Sequence, residues 1–168
     1  FGDSGYFGVR RFPYTRDFAK NGLTFKHISN GVALPAGPQA PVGGNNFEVH
    51  NAGEVWSSML FQAYTSLLQN GGHTFDVAKR RMADYVVAGM QMAPADPTFT
   101  EQRDGILAAA AAADPADFLL LAQGFADRGA GTCAVSPARQ SQTGSGVVED
   151  FTLSGRQELE SLQLDDSV

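Results

Sequence analysis

The feature that most constrains the fold is a row of apolar residues repeated at every fourth position between Asn51 and Asn70. The row consists of Val55, Met59, Ala63 and Leu67, and it is widened by Trp56, Leu60 and Leu68. An apolar face this wide predicts a largely buried α-helix over residues 51–70. Gly71 and Gly72 follow as its stop signal.

A second helix is predicted over about residues 74–92, since its apolar residues also recur with helical period. Its inward face is predicted to hold Phe75, Ala78, Met82, Tyr85, Val86 and Gly89. Its outward face is predicted to carry Lys79, Arg80 and Arg81 as a solvated basic cluster.

Two more helices carry clear start signals. Thr98 as N-cap and Glu101 three residues later form a capping box, which begins a helix that continues through Leu107 into an alanine tract. Asp114 as N-cap and Pro115 at the first helical position begin the next helix, which ends at residues 128–129. Four helices in one short chain predict a mainly α fold.

The segments outside these helices differ in composition. Residues 1–41 are rich in glycine, proline and aromatic residues without a sustained period, which predicts irregular structure packed on the helices. Residues 29–46 contain 3 prolines and 4 glycines and predict an exposed loop. We therefore assign residues 1–133 to a helical lobe with an inserted loop at 29–46. Residues 134–168 are assigned to a polar linker and the start of a further domain, with a candidate strand at 147–153.

Charge and length exclude several classes of protein. The chain has 168 residues and a formal charge of −6, which argues against binding to nucleic acid or to an anionic membrane surface. No apolar run reaches the roughly 18 residues that span a bilayer.

The one cysteine, Cys133, excludes an internal disulfide and a cysteine-based zinc site, and we expect it to pack as a small buried residue. Because the chain begins with Phe1 and not Met, we expect it to be a piece of a longer protein.

Self-sufficient catalytic motifs are absent from the sequence. It contains no HExxH, no P-loop and no GxSxG string. Among its three histidines, only His50 has a carboxylate at the i, i+4 spacing of a helical metal pair, namely Glu54. Since zinc requires three or four converging ligands, we do not expect this chain to form a zinc site alone. His50 lies directly before the first predicted helix, where it is either a functional side chain aimed outward or a ring that packs at the helix entrance.

Several ordered strings resemble the fungalysin family of secreted zinc metallopeptidases, which are relatives of thermolysin. The string VHNAGEVWSSMLFQAY at residues 49–64 resembles the family's V-H-x-x-G-x-V-W-A segment. Upstream, GVRRFPYT and NGLTF at residues 8–15 and 21–25 resemble its G-I-R-x-Y-P-Y-S and N-P-L-T-Y segments. Four downstream strings also resemble the segments that follow in the family: VAGM (87–90), PTF (97–99), RDGIL (103–107) and FADRG (125–129). The resemblance spans about residues 8–131.

The resemblance implies roles for four residues. His50 matches the histidine that donates a hydrogen bond to the oxyanion during peptide hydrolysis. Arg10 matches an arginine that binds a substrate carbonyl, although its neighbour Arg11 is an equally plausible candidate. Thermolysin relatives have an aspartate five residues before the histidine, and this chain has Asn45 there, so Glu48 is the candidate to orient His50 instead.

The resemblance also implies what the rest of the protein supplies. We expect this chain to be the helical C-terminal lobe of a thermolysin-like, zinc-dependent endopeptidase, inactive alone, whose zinc ligands lie upstream in an HExxH-bearing half. The resemblance implies calcium as a second candidate ion and an inhibitory propeptide as a candidate partner. The expected substrates are peptides or proteins. We expect no nucleic-acid or membrane partner and a secreted, extracellular location. The alternative is a non-catalytic helical module that binds peptides or proteins without cleaving them.

Two departures from the family pattern bear on these expectations. The loop at 29–46 is longer than is usual between the N-P-L-T-Y and V-H segments, so the distance from Arg10 to His50 is not fixed by the resemblance. Gly22 also stands where the family has proline.

Overall fold

The computed structural model describes residues 4–8, 10–37 and 43–153. Over these residues the fold is mainly helical, as predicted. The helices are α1 (Ser4–Phe7), α2 (Val49–Asn70), α3 (Phe75–Met92), α4 (Phe99–Ala113) and α5 (Pro115–Asp127), with a 3₁₀ helix at Phe25–Ile28. Within the described ranges, none of these helices combines the length and apolar character needed to cross a membrane.

Helix α2 lies at the centre and packs against α3, α5 and the 3₁₀ helix. The predicted row of Val55, Met59, Ala63 and Leu67 is buried, with exposures of 1% or less. The Trp56 ring stacks on Phe125 of α5 and meets Phe99 of α4 edge-on, each at 6.0 Å between ring centres. The wide apolar face therefore serves as the common wall of the hydrophobic core.

Glycines allow the helices to approach closely at two contacts. A Cβ atom added to Gly124 of α5 would lie 2.7 Å from the backbone nitrogen of Ala63 in α2. A Cβ on Gly89 of α3 would lie 2.7 Å from the backbone nitrogen of Ile106 in α4. Both distances are shorter than real carbon contacts, so these helices pack backbone against backbone.

The start signals of the later helices are confirmed. Thr98 and Glu101 form both bonds of the capping box at α4, and the Asp114 carboxylate accepts from the backbone N–H of Ala116 at α5. One inward residue was predicted wrongly: Phe75 is 58% exposed. Phe75 is the first residue of α3, and its ring lies against the Lys79 ammonium at 5.2 Å instead of entering the core.

The N-terminal segment is irregular, as predicted, apart from α1 and the 3₁₀ helix. Four apolar residues of this segment are fully buried: Phe12, Leu23, Phe25 and Ile28. Buried Arg128, which follows α5, donates to the backbone carbonyls of Asn21 at 2.6 Å, Leu23 at 2.9 Å and Thr15 at 2.7 Å. Its guanidinium also lies 4.1 Å from the centre of the Phe18 ring. One side chain thus fixes a nine-residue stretch that has no helix or strand of its own.

The ends of the loop at 29–46 are tied together, although its residues 38–42 lie outside the described part. The side-chain amide of buried Asn46 donates to the carbonyls of Ser29 at 2.9 Å and Val32 at 2.7 Å. Ser29 in turn donates to the carbonyl of Gly144 at 2.6 Å. These hydrogen bonds tie the ends of the loop together, while Leu34 of the loop and Phe47 directly after it pack against the hydrophobic core.

Residues 134–153 also contact the lobe. Single β-bridges pair Ala130 with Asp150 and Val135 with Val148, and the backbone N–H of Lys26 donates to Glu149. The division into a lobe at 1–133 and a linker with a further domain at 134–168 stays a prediction, and residues 154–168 lie outside the described residues. Cys133 is exposed, so the expectation that it would be buried is wrong. It lies between the bridged residues Ala130 and Val135, where its backbone N–H donates to the Asp150 carboxylate at 2.7 Å.

Substitution of Gly124 by alanine tests the close contact of α2 and α5. We expect Gly124→Ala to lower the free energy of unfolding by about 1–3 kcal/mol, because the added methyl group forces the two backbones apart. Urea denaturation of the 168-residue chain followed by circular dichroism measures this. Gly53→Ala in α2 is the matched control, since no atom lies within 4 Å of the added methyl group. The control should gain stability from helix propensity alone, and equal effects in both variants would contradict the packing explanation.

Buried His27 predicts a specific pH dependence of stability. Burial lowers its pKa below the ordinary 6.5, and Nδ1 lies 2.9 Å from the backbone N–H of Thr24, so the ring is neutral in the fold. The unfolded chain then binds more protons than the folded one below about pH 6.5, and stability is lost as the pH falls through that window. We expect His27→Asn, which keeps an acceptor but does not titrate, to show a shallower decrease in melting temperature between pH 7.5 and 5.5. An unchanged slope would contradict the assignment.

Candidate functional site at the start of helix α2

Glu48 caps the first turn of α2, which begins two residues earlier than the sequence predicted. The Glu48 carboxylate accepts from the backbone N–H of His50 at 2.9 Å and of Asn51 at 3.2 Å. These bonds satisfy two N–H groups that a helix start leaves without partners, so the helix begins at Val49 and not near Asn51.

The same carboxylate holds the His50 ring. Oε1 of Glu48 lies 2.7 Å from Nδ1 of His50, and the His50 side chain is 74% exposed. The hydrogen bond to His50 lowers the pKa of Glu48 below its ordinary value, aided by the two backbone N–H groups. Because a carboxylate only accepts, Nδ1 carries the proton in this contact, and Nε2 is the nitrogen available to another molecule.

Arg10 lies next to this turn. Its Nη1 is 3.5 Å from the backbone carbonyl of His50, and its Nε donates to the hydroxyl of Tyr14 at 3.2 Å. The structure therefore brings together three of the four residues that the resemblance singled out: Arg10, Glu48 and His50. A surface with one guanidinium and one imidazole side by side can donate hydrogen bonds to neighbouring carbonyl oxygens.

Asn45, the fourth of these residues, and Arg11, the alternative to Arg10, are placed differently. Arg11 is 3% exposed, and its guanidinium is bonded to Glu54, Asn46 and the carbonyl of Asn51, so it does not reach the surface beside Arg10. Asn45 is exposed and contributes its backbone carbonyl, which accepts from the side-chain amide of Asn51 at 2.8 Å.

The spacing of His50 and Glu54 does not produce a metal site. Glu54 is fully buried and forms an ion pair with Arg11 at 2.7 Å, whereas His50 is exposed. Although the two residues are one turn apart, His50 is exposed at the helix start and Glu54 is buried against Arg11, so their side chains do not converge on one ion.

An apolar groove of about 350 Å³ lies between α2, α3 and Tyr14. It is lined by Tyr14, Ser57, Leu60, Phe61, Tyr64, Met82 and Val86. Tyr14 connects the groove to the surface that carries Arg10 and His50, since its hydroxyl accepts from Arg10 and its ring centre lies 6.2 Å from that of Phe61.

A second polar cluster, which the sequence analysis missed, lies near the opposite end of α2. His73, Asp114 and Asp117 place their ligand atoms within 4.8 Å of one another. The Asp117 carboxylate is its centre: it contacts Nε2 of His73 at 2.9 Å and accepts from Tyr85 at 2.7 Å and from Arg81 at 2.6 Å. Burial by itself raises the pKa of Asp117, but the hydrogen bonds from Tyr85, His73 and Arg81 outweigh it and hold that pKa below its ordinary value.

This cluster does not fit a metal ion. Nη1 of Arg81 lies 2.9 Å from Asp114 and 2.6 Å from Asp117, so a guanidinium already supplies the positive charge between both carboxylates. Arg81, predicted to be fully solvated, is thus an ion-pair partner. Burial raises the pKa of Tyr85 to about 12, and its neutral hydroxyl donates to the same carboxylate.

The sequence profile of the fungalysin metallopeptidases (M36) matches residues 2–134. The chain belongs to this family. The resemblance of residues 8–131 is therefore confirmed, and so is the mainly helical lobe that it implied. The family description implies a metal, but the described residues of this fungalysin chain do not fit one, and we derive no step through a metal bound here.

Curated relatives are extracellular metalloproteinases of fungi. The protein named extracellular metalloproteinase mep from Aspergillus terreus is 30% identical over 137 residues, which are 74% of this chain and 19% of the relative. Its namesake from Aspergillus niger is 28% identical over 150 residues, 77% of this chain and 20% of the relative. Extracellular metalloproteinase 3 of Trichophyton soudanense is 33% identical over 110 residues, 58% of this chain and 28% of the relative. The chain spans about a fifth of the length of the first two relatives.

The Asp117 cluster can be tested on the 168-residue chain. We expect Asp117→Asn to lower the free energy of unfolding by about 1–3 kcal/mol, because the amide cannot accept from His73, Tyr85 and Arg81 together. We also expect added zinc to leave the melting temperature of the unsubstituted chain unchanged. A zinc-dependent increase that Asp117→Asn abolishes would contradict our assignment of Arg81 as the cation of this cluster.

Proposed function

We propose that this chain is the helical C-terminal lobe of a zinc-dependent endopeptidase that hydrolyses peptide bonds in extracellular proteins. The observation that carries the proposal is the arrangement at the start of α2: an exposed His50 held by Glu48, with Arg10 beside it. Family membership supports peptidase chemistry, and the names of the curated relatives support secretion.

The part of this lobe in the reaction is the binding of carbonyl oxygens. When water adds to a peptide carbonyl, the oxygen gains negative charge, and a fixed donor aimed at that position lowers the barrier. His50 is suited to this task because Glu48 fixes Nδ1, and a proton on Nε2 then gives the ring a second, outward donor.

Arg10 would hold a neighbouring carbonyl of the substrate. Its guanidinium is charged at every relevant pH and lies against the carbonyl of His50, so the two donors belong to one surface. Arg11 does not compete for this role because its donors are used inside the protein.

The zinc ion belongs, in this proposal, to a half of the protein outside this chain, where it would activate the attacking water. The HExxH string, an inhibitory propeptide and a calcium ion stay predictions from the resemblance. The lobe alone should not hydrolyse peptides.

Substitution of His50 tests the proposal in the longest protein that contains this chain. We expect His50→Ala to lower kcat by about 10²–10³-fold with little change in KM, because the hydrogen bond strengthens only as the oxyanion forms. Zinc content, measured by atomic emission, should stay the same. His73→Ala is the matched control: it removes a histidine near the other end of α2 and should leave kcat unchanged.

Two outcomes would contradict the proposal. A loss confined to KM would show that His50 does not stabilise the transition state. If the unsubstituted protein neither binds zinc nor cleaves peptides, the non-catalytic binding module becomes the better description.

A further inference from the structure

We infer that the buried ion pair of Arg11 and Glu54 is the element that positions Arg10 and His50 relative to each other. Both residues lie inside the protein, and neither touches the surface on which Arg10 and His50 lie. The inference rests on the proposed function for its kinetic consequence, but its structural content can be tested without activity.

Glu54 clamps the segment that follows Arg10 onto α2. One oxygen of its carboxylate, Oε2, contacts Nε of Arg11 at 2.7 Å, and the other, Oε1, accepts from the backbone N–H of Phe12 at 2.7 Å. Two consecutive residues directly after Arg10 are thus bonded to one carboxylate, which is 0% exposed. Glu54 lies four residues after His50 in the same helix, so this clamp is rigidly connected to the turn that carries His50.

Arg11 extends the clamp to the turn itself. Its Nη2 donates to the backbone carbonyl of Asn51 at 3.1 Å, directly after His50, and its Nη1 donates to Oδ1 of Asn46 at 3.1 Å, two residues before Glu48. One guanidinium therefore bonds to residues on both sides of the pair Glu48–His50. The residue next to Arg10 and the residue next to His50 are joined by a single hydrogen bond.

A buried ion pair is weak evidence of a role in stability. Removing two charges from water costs free energy that their attraction does not always recover, and apolar replacements are often neutral for stability. An ion pair with four directed hydrogen bonds fixes the register between two segments, whereas apolar contacts do not. Here the two segments are the irregular residues 10–12 and the start of α2. A displacement of about 1 Å between catalytic groups costs about 100-fold in rate, so such a register has kinetic value.

The test compares two kinds of variant in the longest protein that contains this chain. Glu54→Gln keeps the shape but cannot accept from both Arg11 and Phe12, since one of its two atoms is a donor. The double variant Arg11→Met, Glu54→Met removes both charges together, so that no unpaired charge is left buried, and should still fold. The stability control is Asp117→Asn, which weakens the cluster near the other end of α2 and should leave kcat and KM per folded molecule unchanged.

We expect both clamp variants to lose about 100-fold in kcat/KM at full folded fraction, with a lower kcat and a raised KM, because both donors shift. In a His50→Ala background, the same changes should lower kcat by much less, since the group they position is already absent. A merely structural role would reduce the active fraction equally in both backgrounds and leave KM unchanged. That result, or a folded double variant with unchanged kcat and KM, overturns the inference.

A second measurement separates this inference from the proposed function. Nuclear Overhauser contacts between Arg10 and the first turn of α2 can be recorded in the 168-residue chain, which needs no zinc. We expect these contacts in the unsubstituted chain and in Asp117→Asn, and their loss in the folded double variant. If the long protein shows no peptidase activity, the proposed function fails while the loss of these contacts still supports the clamp. Persistence of the contacts in the double variant overturns the clamp whatever the activity.

Discussion

The close contact of α5 with α2 at Gly124 determines where most other parts of this lobe lie. Because no side chain separates Gly124 from Ala63, α5 lies directly on the central helix. The Trp56 ring can then stack on Phe125, and Arg128 enters the interior directly after α5. From there it binds the irregular N-terminal segment, whose Arg11 and Phe12 are fixed to Glu54. The position of Arg10 beside His50 is the last step in this series of contacts.

The two ends of α2 use polar groups in different ways. At the start, Glu48 uses its carboxylate to cap the helix and to hold an exposed imidazole. Roughly 30 Å away, past the end of this 22-residue helix, Asp117 is buried among Arg81, Tyr85 and His73. The first arrangement leaves the His50 ring exposed, whereas in the second His73, Arg81 and Tyr85 are all bonded to the buried Asp117 carboxylate. Only the first end therefore has the character of a site that meets another molecule.

Sequence reasoning predicted the helices well because their signals are local. The capping box at Thr98, the Asp114–Pro115 start and the fourfold row of α2 each lie within a few residues of the structure that they specify. The family resemblance singled out Arg10, Glu48 and His50, but it left open how far Arg10 would lie from the other two. It did not distinguish Arg10 from Arg11, because that difference depends on a carboxylate 43 residues away in the chain. The Asp117 cluster was missed for the same reason, since its partners come from three separate elements.

Arg128 fixes the course of residues 15–23 through contacts with their backbone. Its guanidinium contacts the backbone carbonyls of Thr15, Asn21 and Leu23, which every amino acid possesses, and not their side chains. The route of this stretch is therefore specified largely at a position more than one hundred residues away. Within the stretch, the buried side chains of Asn21 and Leu23 add local contacts, but loss of Arg128 would remove the bonds to all three carbonyls at once.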